Sequence, residues 1–170
     1  MGRAIAGNSG RLTSSISFRP ESEQDIPFLR KLYSSTRVQE MAQVGWTGEE
    51  KESFLTMQFE AQRRHYQAQF PRADYLVVEE DGMAIGRIYV DRGAEEMRLI
   101  DITLVPLARN KGLGGALLRD LLDEGRARGT PVRIHVEKFN PAMRLYLRLG
   151  FRPIEDRGVY QFLEWLPAVS

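Results

Sequence analysis

Along the chain the spacing of apolar residues changes between a period of two and a period near four, and each change marks an element. "ISFR" at 16–19 alternates and is closed by Pro20, which predicts a short strand. Asp25 then stands ahead of Ile26, Phe28, Leu29 and Leu32, a cap followed by helical spacing. Thr47 with Glu50 three residues on forms a capping box, opening a second helical stretch over 47–69 on which Phe54, Leu55, Phe59 and Tyr66 recur. From 74 the period shortens: "DYLVVEEDGMAIGRIYVD" reads as two strands turning at Asp81-Gly82, because both residues tolerate positive φ. "MRLIDITLV" at 97–105 is apolar on both parities apart from Arg98, Asp101 and Thr103, which predicts a central strand.

A helix over 112–128 follows, with Leu113, Leu117 and Leu121 on one side and Gly129 and Pro131 as its stop. "PVRIHVE" at 131–137 is a strand that a helical crossover should set parallel to the previous one. Asn140 and Pro141 read as N-cap and first residue of a short helix ended by Gly150, and 151–166 as a hairpin turning near 156–158. The predicted order is β, α, α, β, β, β, α, β, α, β, β, a mixed α/β (α+β) fold.

Composition narrows the class. The chain has 170 residues, 42% hydrophobic and 28% charged, which suits one domain over 15–170. The small, Gly/Ser-rich residues 1–14 read as a flexible arm or an expression remnant. With 24 basic against 23 acidic residues no global field points to nucleic acid or an anionic membrane. No stretch approaches the ~18 consecutive apolar residues of a membrane span, and no secretory leader stands at the start, so a soluble, cytoplasmic protein is expected. Without cysteine there is no disulfide framework and no thiolate nucleophile, and two histidines alone do not make a zinc centre, so no metal is expected. The last strand, "VYQFLEW" with Trp165, would either complete a homodimer or cap its own sheet.

"LVPLARNKGLGGALL" at 104–118 carries the chemistry: a strand, then Arg109, Asn110, Lys111 and three glycines at the mouth of a helix. Unpaired N–H groups and the positive end of the helix dipole make such a mouth an anion site. The GxxxxGK[ST] of a Walker loop is absent, and Gly112, Gly114 and Gly115 do not fit the GxGxxG dinucleotide fingerprint. Arg109-x-x-Gly112-x-Gly114, preceded by "VP" and followed by an amphipathic helix, resembles instead the acyl-CoA motif of the GCN5-related N-acetyltransferases (GNAT). "NPAMRLYLRLGF" at 140–151 is similar to that family's second motif, in which an Asn opens a helix, a Tyr lies on it and "LGF" leads into a strand.

This resemblance covers roughly 16–166. It implies a mostly antiparallel sheet of six or seven strands flanked by helices and splayed between its two central parallel strands. It also implies acetyl-CoA as co-substrate: pantetheine pairing with the backbone at Leu104 and Val105, N–H groups of Asn110, Lys111, Gly112, Leu113, Gly114 and Gly115 around the pyrophosphate, Arg109 and Lys111 screening its charge, and Asn140 on the pantetheine arm. Tyr146 would be the acid that protonates the departing thiolate. The glutamate that members often carry eleven residues ahead of the motif arginine is here Arg98.

The amine must lose a proton before it attacks, since its pKa lies near ~10.4. A carboxylate within a central strand must be paired or functional, so Asp101 is either the base or amine-orienting group, or a buried partner for Arg87 or Arg98; a water relay is the third route. For the acceptor pocket the candidates are Trp46, Phe59, Gln62, His65 and Tyr66, with Glu60 as an ammonium partner. The acceptor is a small-molecule or peptide amine. A non-catalytic acyl-CoA sensor and a transferase of longer acyl groups are the competing readings.

Overall fold

The computed structural model describes residues 15–169, so the expectation for 1–14 lies outside them. The strands are β1 (Ile16–Pro20), β2 (Asp74–Glu80), β3 (Met83–Arg92), β4 (Met97–Leu104), β5 (Val132–Glu137), β6 (Arg152–Arg157) and β7 (Tyr160–Trp165). The helices are α1 (Ile26–Ser35), α2 (Val38–Ala42), α3 (Gly48–Gln69), α4 (Leu113–Arg128) and α5 (Met143–Arg148). One sheet of order β1-β2-β3-β4-β5-β7-β6 holds all seven strands, antiparallel except between β4 and β5. That is the mixed, mostly antiparallel architecture predicted.

The capping box of α3 forms as read: Glu50 N–H donates to Thr47 Oγ1 at 3.2 Å and Thr47 N–H to Glu50 Oε2 at 2.7 Å. Two caps differ. Asp25 occupies the N-cap position of α1, but its side chain makes no cap bond; it accepts the Ser22 N–H at 2.8 Å and two bonds from Arg19 at 2.7 and 2.8 Å, closing a 3-10 turn that feeds the helix. Asn140 is not the N-cap of α5: its Oδ1 accepts the Ala142 N–H at 2.8 Å, and the helix begins only at Met143. In both places the short polar side chain closes a local turn that competes with the helix start. The five-residue α2 is unpredicted. Neither edge of β7 is free, because β5 and β6 pair with it on either side, so this strand offers no edge to a second copy.

The main core lies between the sheet and α4, where Leu113, Leu117, Leu118, Leu121 and Leu122 pack on Val90, Leu99, Ile134 and Leu163. A smaller cluster of Leu29, Tyr33 and Phe59 joins α1 to α3 on the opposite face. No described helix is long and apolar enough to cross a membrane.

Candidate active site at the parting of two strands

β4 and β5 pair only from Met97↔Val132 to Leu99↔Ile134, although β4 continues to Leu104 and β5 to Glu137. Beyond Leu99 the strands part and leave a V. Backbone groups alternate along a strand, and Val105 N–H donates to Ile85 O at 2.8 Å, which turns Val105 and Thr103 toward β3. By the same alternation Ile102 and Leu104 face the V. Val105, expected to pair with pantetheine, thus spends its N–H inside the sheet, and Ile102 and Leu104 stand at the gap.

At the open end of β4 the chain turns through Pro106–Ala108 into a loop with Asn110 at φ 59° and Gly112 at φ 79°. Alternation of left-handed and ordinary backbone curls successive N–H groups inward, a nest for an anion. The N–H of Arg109 goes to Pro106 O and that of Ala116 to Gly112 O; those of 110–115 between them meet no acceptor among the described residues. Gly112 must be glycine for its φ, whereas a Cβ on Gly114 would come no nearer than 4.0 Å to Leu104 Cδ1. Lys111 is exposed and makes no ion pair among the described residues. Arg109, expected to screen phosphate charge, donates its Nε to Leu104 O at 2.9 Å and its Nη2 to Ser35 Oγ at 3.0 Å. It braces the loop against β4 and the end of α1.

The opposite face of the V is made of side chains. A β-bulge lets β4 carry one residue more than β3, so that Val90 faces Leu99 but Tyr89 faces Asp101. The bulge sends Leu99 to the α4 core and Asp101 to the α3 side, which explains apolar residues on both parities of this strand. Asp101 Oδ2 accepts from Arg87 Nη2 at 2.9 Å and Tyr66 OH at 3.3 Å; its Oδ1 accepts from Thr103 Oγ1 at 2.6 Å and Arg87 Nε at 3.3 Å. Arg87 is 2% exposed and also donates to Gln62 Oε1 at 2.8 Å. Burial works against its charge, but Asp101 outweighs it and raises the Arg87 pKa. Burial, and then the Asp101 charge, push the Tyr66 hydroxyl up as well.

Tyr146 reaches the same region from α5. It is 3% exposed, packs edge-on to Phe151, and its hydroxyl has no hydrogen-bond partner among the described residues. Burial first, and the Asp101 charge second, push its pKa up, so it stays protonated through the neutral range.

The profile of the acetyltransferase (GNAT) family matches residues 36–151, a span that contains the V, the loop and Tyr146. The chain belongs to this family. A curated Bacillus subtilis relative, a candidate ribosomal protein bS18-alanine N-acetyltransferase, is 31% identical over 86 residues, 49% of this chain and 56% of its own length. The chain thus spans about half the length of that relative. Among solved structures, the PaiA N-acetyltransferase of Thermoplasma acidophilum in complex with coenzyme A superposes with TM-score 0.66 at 21% identity, covering 89% of this chain and 99% of that one. The ribosomal-protein-S18-alanine N-acetyltransferase of Escherichia coli gives 0.61 at 18%, covering 91% and 96%. At these identities the likeness establishes the fold.

Within this GNAT fold the predicted acceptor residues scatter. Gln62 and Tyr66 join the Asp101 network, but Phe59 is 0% exposed in the α1–α3 cluster and lines no open surface. His65 is exposed on α3. Trp46 packs edge-on to Phe54 near the start of α3, and Glu60 borders a shallow acidic depression with Glu49 and Glu52. Residues that periodicity missed stand closer to the V. Arg37 reaches Glu137 of β5 at 3.3 Å, linking the end of α1 to the far arm of the V. Arg98 does not meet Asp101; it lies over Phe162 and beside His135. Among the described residues no three His, Cys, Asp or Glu gather closely enough to hold a metal.

Proposed function

We propose that the protein is an N-acetyltransferase that moves an acetyl group from acetyl-CoA to a primary amine by direct attack in a ternary complex. The observation that carries this is the run of acceptor-less N–H groups at 110–115 beside the unpaired edge of β4. The residues fit an acyl-CoA: Ile102 and the N–H of Leu104, whose carbonyl accepts from Arg109, offer backbone to an amide-bearing arm, the nest and Lys111 suit a pyrophosphate, and Asn140 keeps its side-chain NH2 for a carbonyl. Leu113 and Gly115 contribute N–H groups to the same cradle.

In this reading the neutral amine attacks the acetyl carbonyl carbon, the C–S bond breaks, and Tyr146 OH gives its proton to the leaving sulfur. Its raised pKa keeps that proton available. Asp101, holding Arg87, Tyr66 and Thr103, orients the ammonium, and the proton the amine gives up leaves through water. The absence of cysteine favours direct attack over a thioester carried on the protein. Bacterial relatives named for the alanine of ribosomal protein S18 make a peptide N-terminus one candidate acceptor and the cytoplasm the candidate location.

One observation favours a second reading, an acyl-CoA sensor: every strong acceptor position of Asp101 is occupied and Arg98 stands where a base would. Thiol release with a panel of amines decides. Acceptor-dependent CoA production supports the enzyme, and tight acetyl-CoA binding without turnover for any amine supports the sensor.

A further inference from the structure

On the Asp101 face, at the closed end of the V, lies a cluster that the acetyl-transfer scheme does not use. Arg98 directly precedes Leu99, the last β4 residue paired with β5, and His135 directly follows its partner Ile134. The ring of Phe162 is stacked by His135 at 4.4 Å and covered by the guanidinium of Arg98 at 4.9 Å and that of Arg157 at 4.5 Å. Arg98 Nη1 stands 3.4 Å from His135 Nδ1, and Arg157 Nη1 contacts His135 Nε2.

Donors here outnumber acceptors. A neutral imidazole has one acceptor nitrogen and one N–H, so it cannot accept from both arginines. Arg98 Nε is buried with no hydrogen-bond partner among the described residues. The carboxylates in reach do not make up the difference: Glu96 divides itself between Arg98 at 3.1 Å and Arg133 at 3.2 Å, Glu155 holds one edge of Arg157 at 2.7 Å, and Glu164 is taken by Arg133 at 2.7 Å. Burial, then Arg98 and Arg157, hold His135 below the usual histidine pKa despite Glu155 and Glu96, so the local field at the ring is positive.

We propose that Arg98 and Arg157, over the Phe162 and His135 floor, form a subsite for an anionic group on the acceptor. This rests on the acetyltransferase reading and names the acceptor class: a primary amine bearing a carboxylate or phosphoryl group. The amine sits at the level of Asp101, and the anion some two strand positions away, about 7 Å. Arg157 is the more accessible partner, its side chain 42% exposed on the β6–β7 hairpin while that of Arg98 is 14% exposed. An arriving anion draws Arg157 off the imidazole and supplies the acceptor that both guanidiniums lack.

The chain holds two histidines, so ring NMR reads this site directly, with His135→Gln assigning the signal and His65 as internal reference. Sodium acetate and inorganic phosphate are titrated at ionic strength held constant with chloride. A saturable shift of His135 but not His65 is expected, weakened roughly tenfold in Arg157→Gln, a surface variant that leaves the core untouched. Tighter phosphate binding assigns a phosphoryl group and tighter acetate a carboxylate. Equal movement of both histidines, or unchanged binding in Arg157→Gln, overturns the subsite. Thiol release with ε-aminocaproate against its carboxamide then separates the two proposals. Turnover favouring the carboxamide removes the subsite and keeps the enzyme, whereas anion binding at His135 without turnover of any amine keeps the subsite and removes the enzyme.

Discussion

The two sides of β4 solve their problems with different parts of the chain. On the α4 side the candidate acyl-CoA cradle is backbone: N–H groups of 110–115, two residues at positive φ, and the unpaired edge at Ile102 and Leu104. On the α3 side the candidate acceptor face is side chain: Asp101, Arg87, Tyr66, Gln62 and Thr103 converge from three elements onto one buried charge pair. A backbone cradle tolerates many side chains as long as its φ angles hold. A buried network fails when one member leaves, because the remaining charge loses its partner.

The largest effect is therefore expected on the α3 side. Arg87→Met leaves the Asp101 carboxylate in a dry site and should cost about 3–5 kcal/mol in chemical denaturation, with most of it recovered when Asp101→Leu is added. Full stability in the single variant would deny the contrast. Next, Tyr146→Phe should lower kcat by roughly 10- to 100-fold with acetyl-CoA affinity kept, and the wild-type rate should show no loss from Tyr146 ionisation up to about pH 10. An unchanged kcat ends its role as acid.

On the α4 side, Gly112→Val forces a β-branched residue into the left-handed region at a cost of about 1–2 kcal/mol, so acetyl-CoA affinity by calorimetry should fall about tenfold with little change in Tm. Gly114→Ala, with open space around its Cβ, separates steric approach of ligand from backbone strain. A smaller effect concerns the anchor of α1. Asp25 is held at about 2, by Arg19 first and with the Ser22 N–H aiding. The stability from its lowered pKa is present above the ordinary carboxylate pKa of about 4 and lost as pH falls toward 2. Asp25→Asn should flatten that part of a Tm-against-pH curve; superposable acid limbs would exclude the linkage. The smallest is Lys111→Ala, exposed and screened, for which a loss of about threefold in affinity that vanishes at high salt is expected.

The same contrast governs how much the chain revealed beforehand. Backbone devices carry local signatures: Thr47 with Glu50, Asp81-Gly82, and the glycines of 112–115 each announce a conformation within a few residues. The sheet followed from periodicity even through the β4 bulge, which appeared only as apolar residues on both parities. The candidate acceptor face was legible in part: the sequence points to Asp101 as a buried partner for Arg87 or Arg98 and to Gln62 and Tyr66 as acceptor-pocket candidates, while pairs far apart in sequence stayed hidden. Nothing local ties Gln62 to Arg87, nor, elsewhere around the V, Arg37 to Glu137 or His135 to Arg157. Arg109 shows the same limit: its place in the motif suggested a charge that screens phosphate, and its reach to Leu104 O and Ser35 became visible only with α1 in position.

The most direct test of the cradle is a titration of the ¹⁵N-labelled protein with coenzyme A, following amide resonances. The account predicts that the N–H signals of residues 110–115, the glycines foremost, move strongly and saturate together with Ile102 and Leu104. Saturating coenzyme A that leaves those amides in place while shifting others would contradict it.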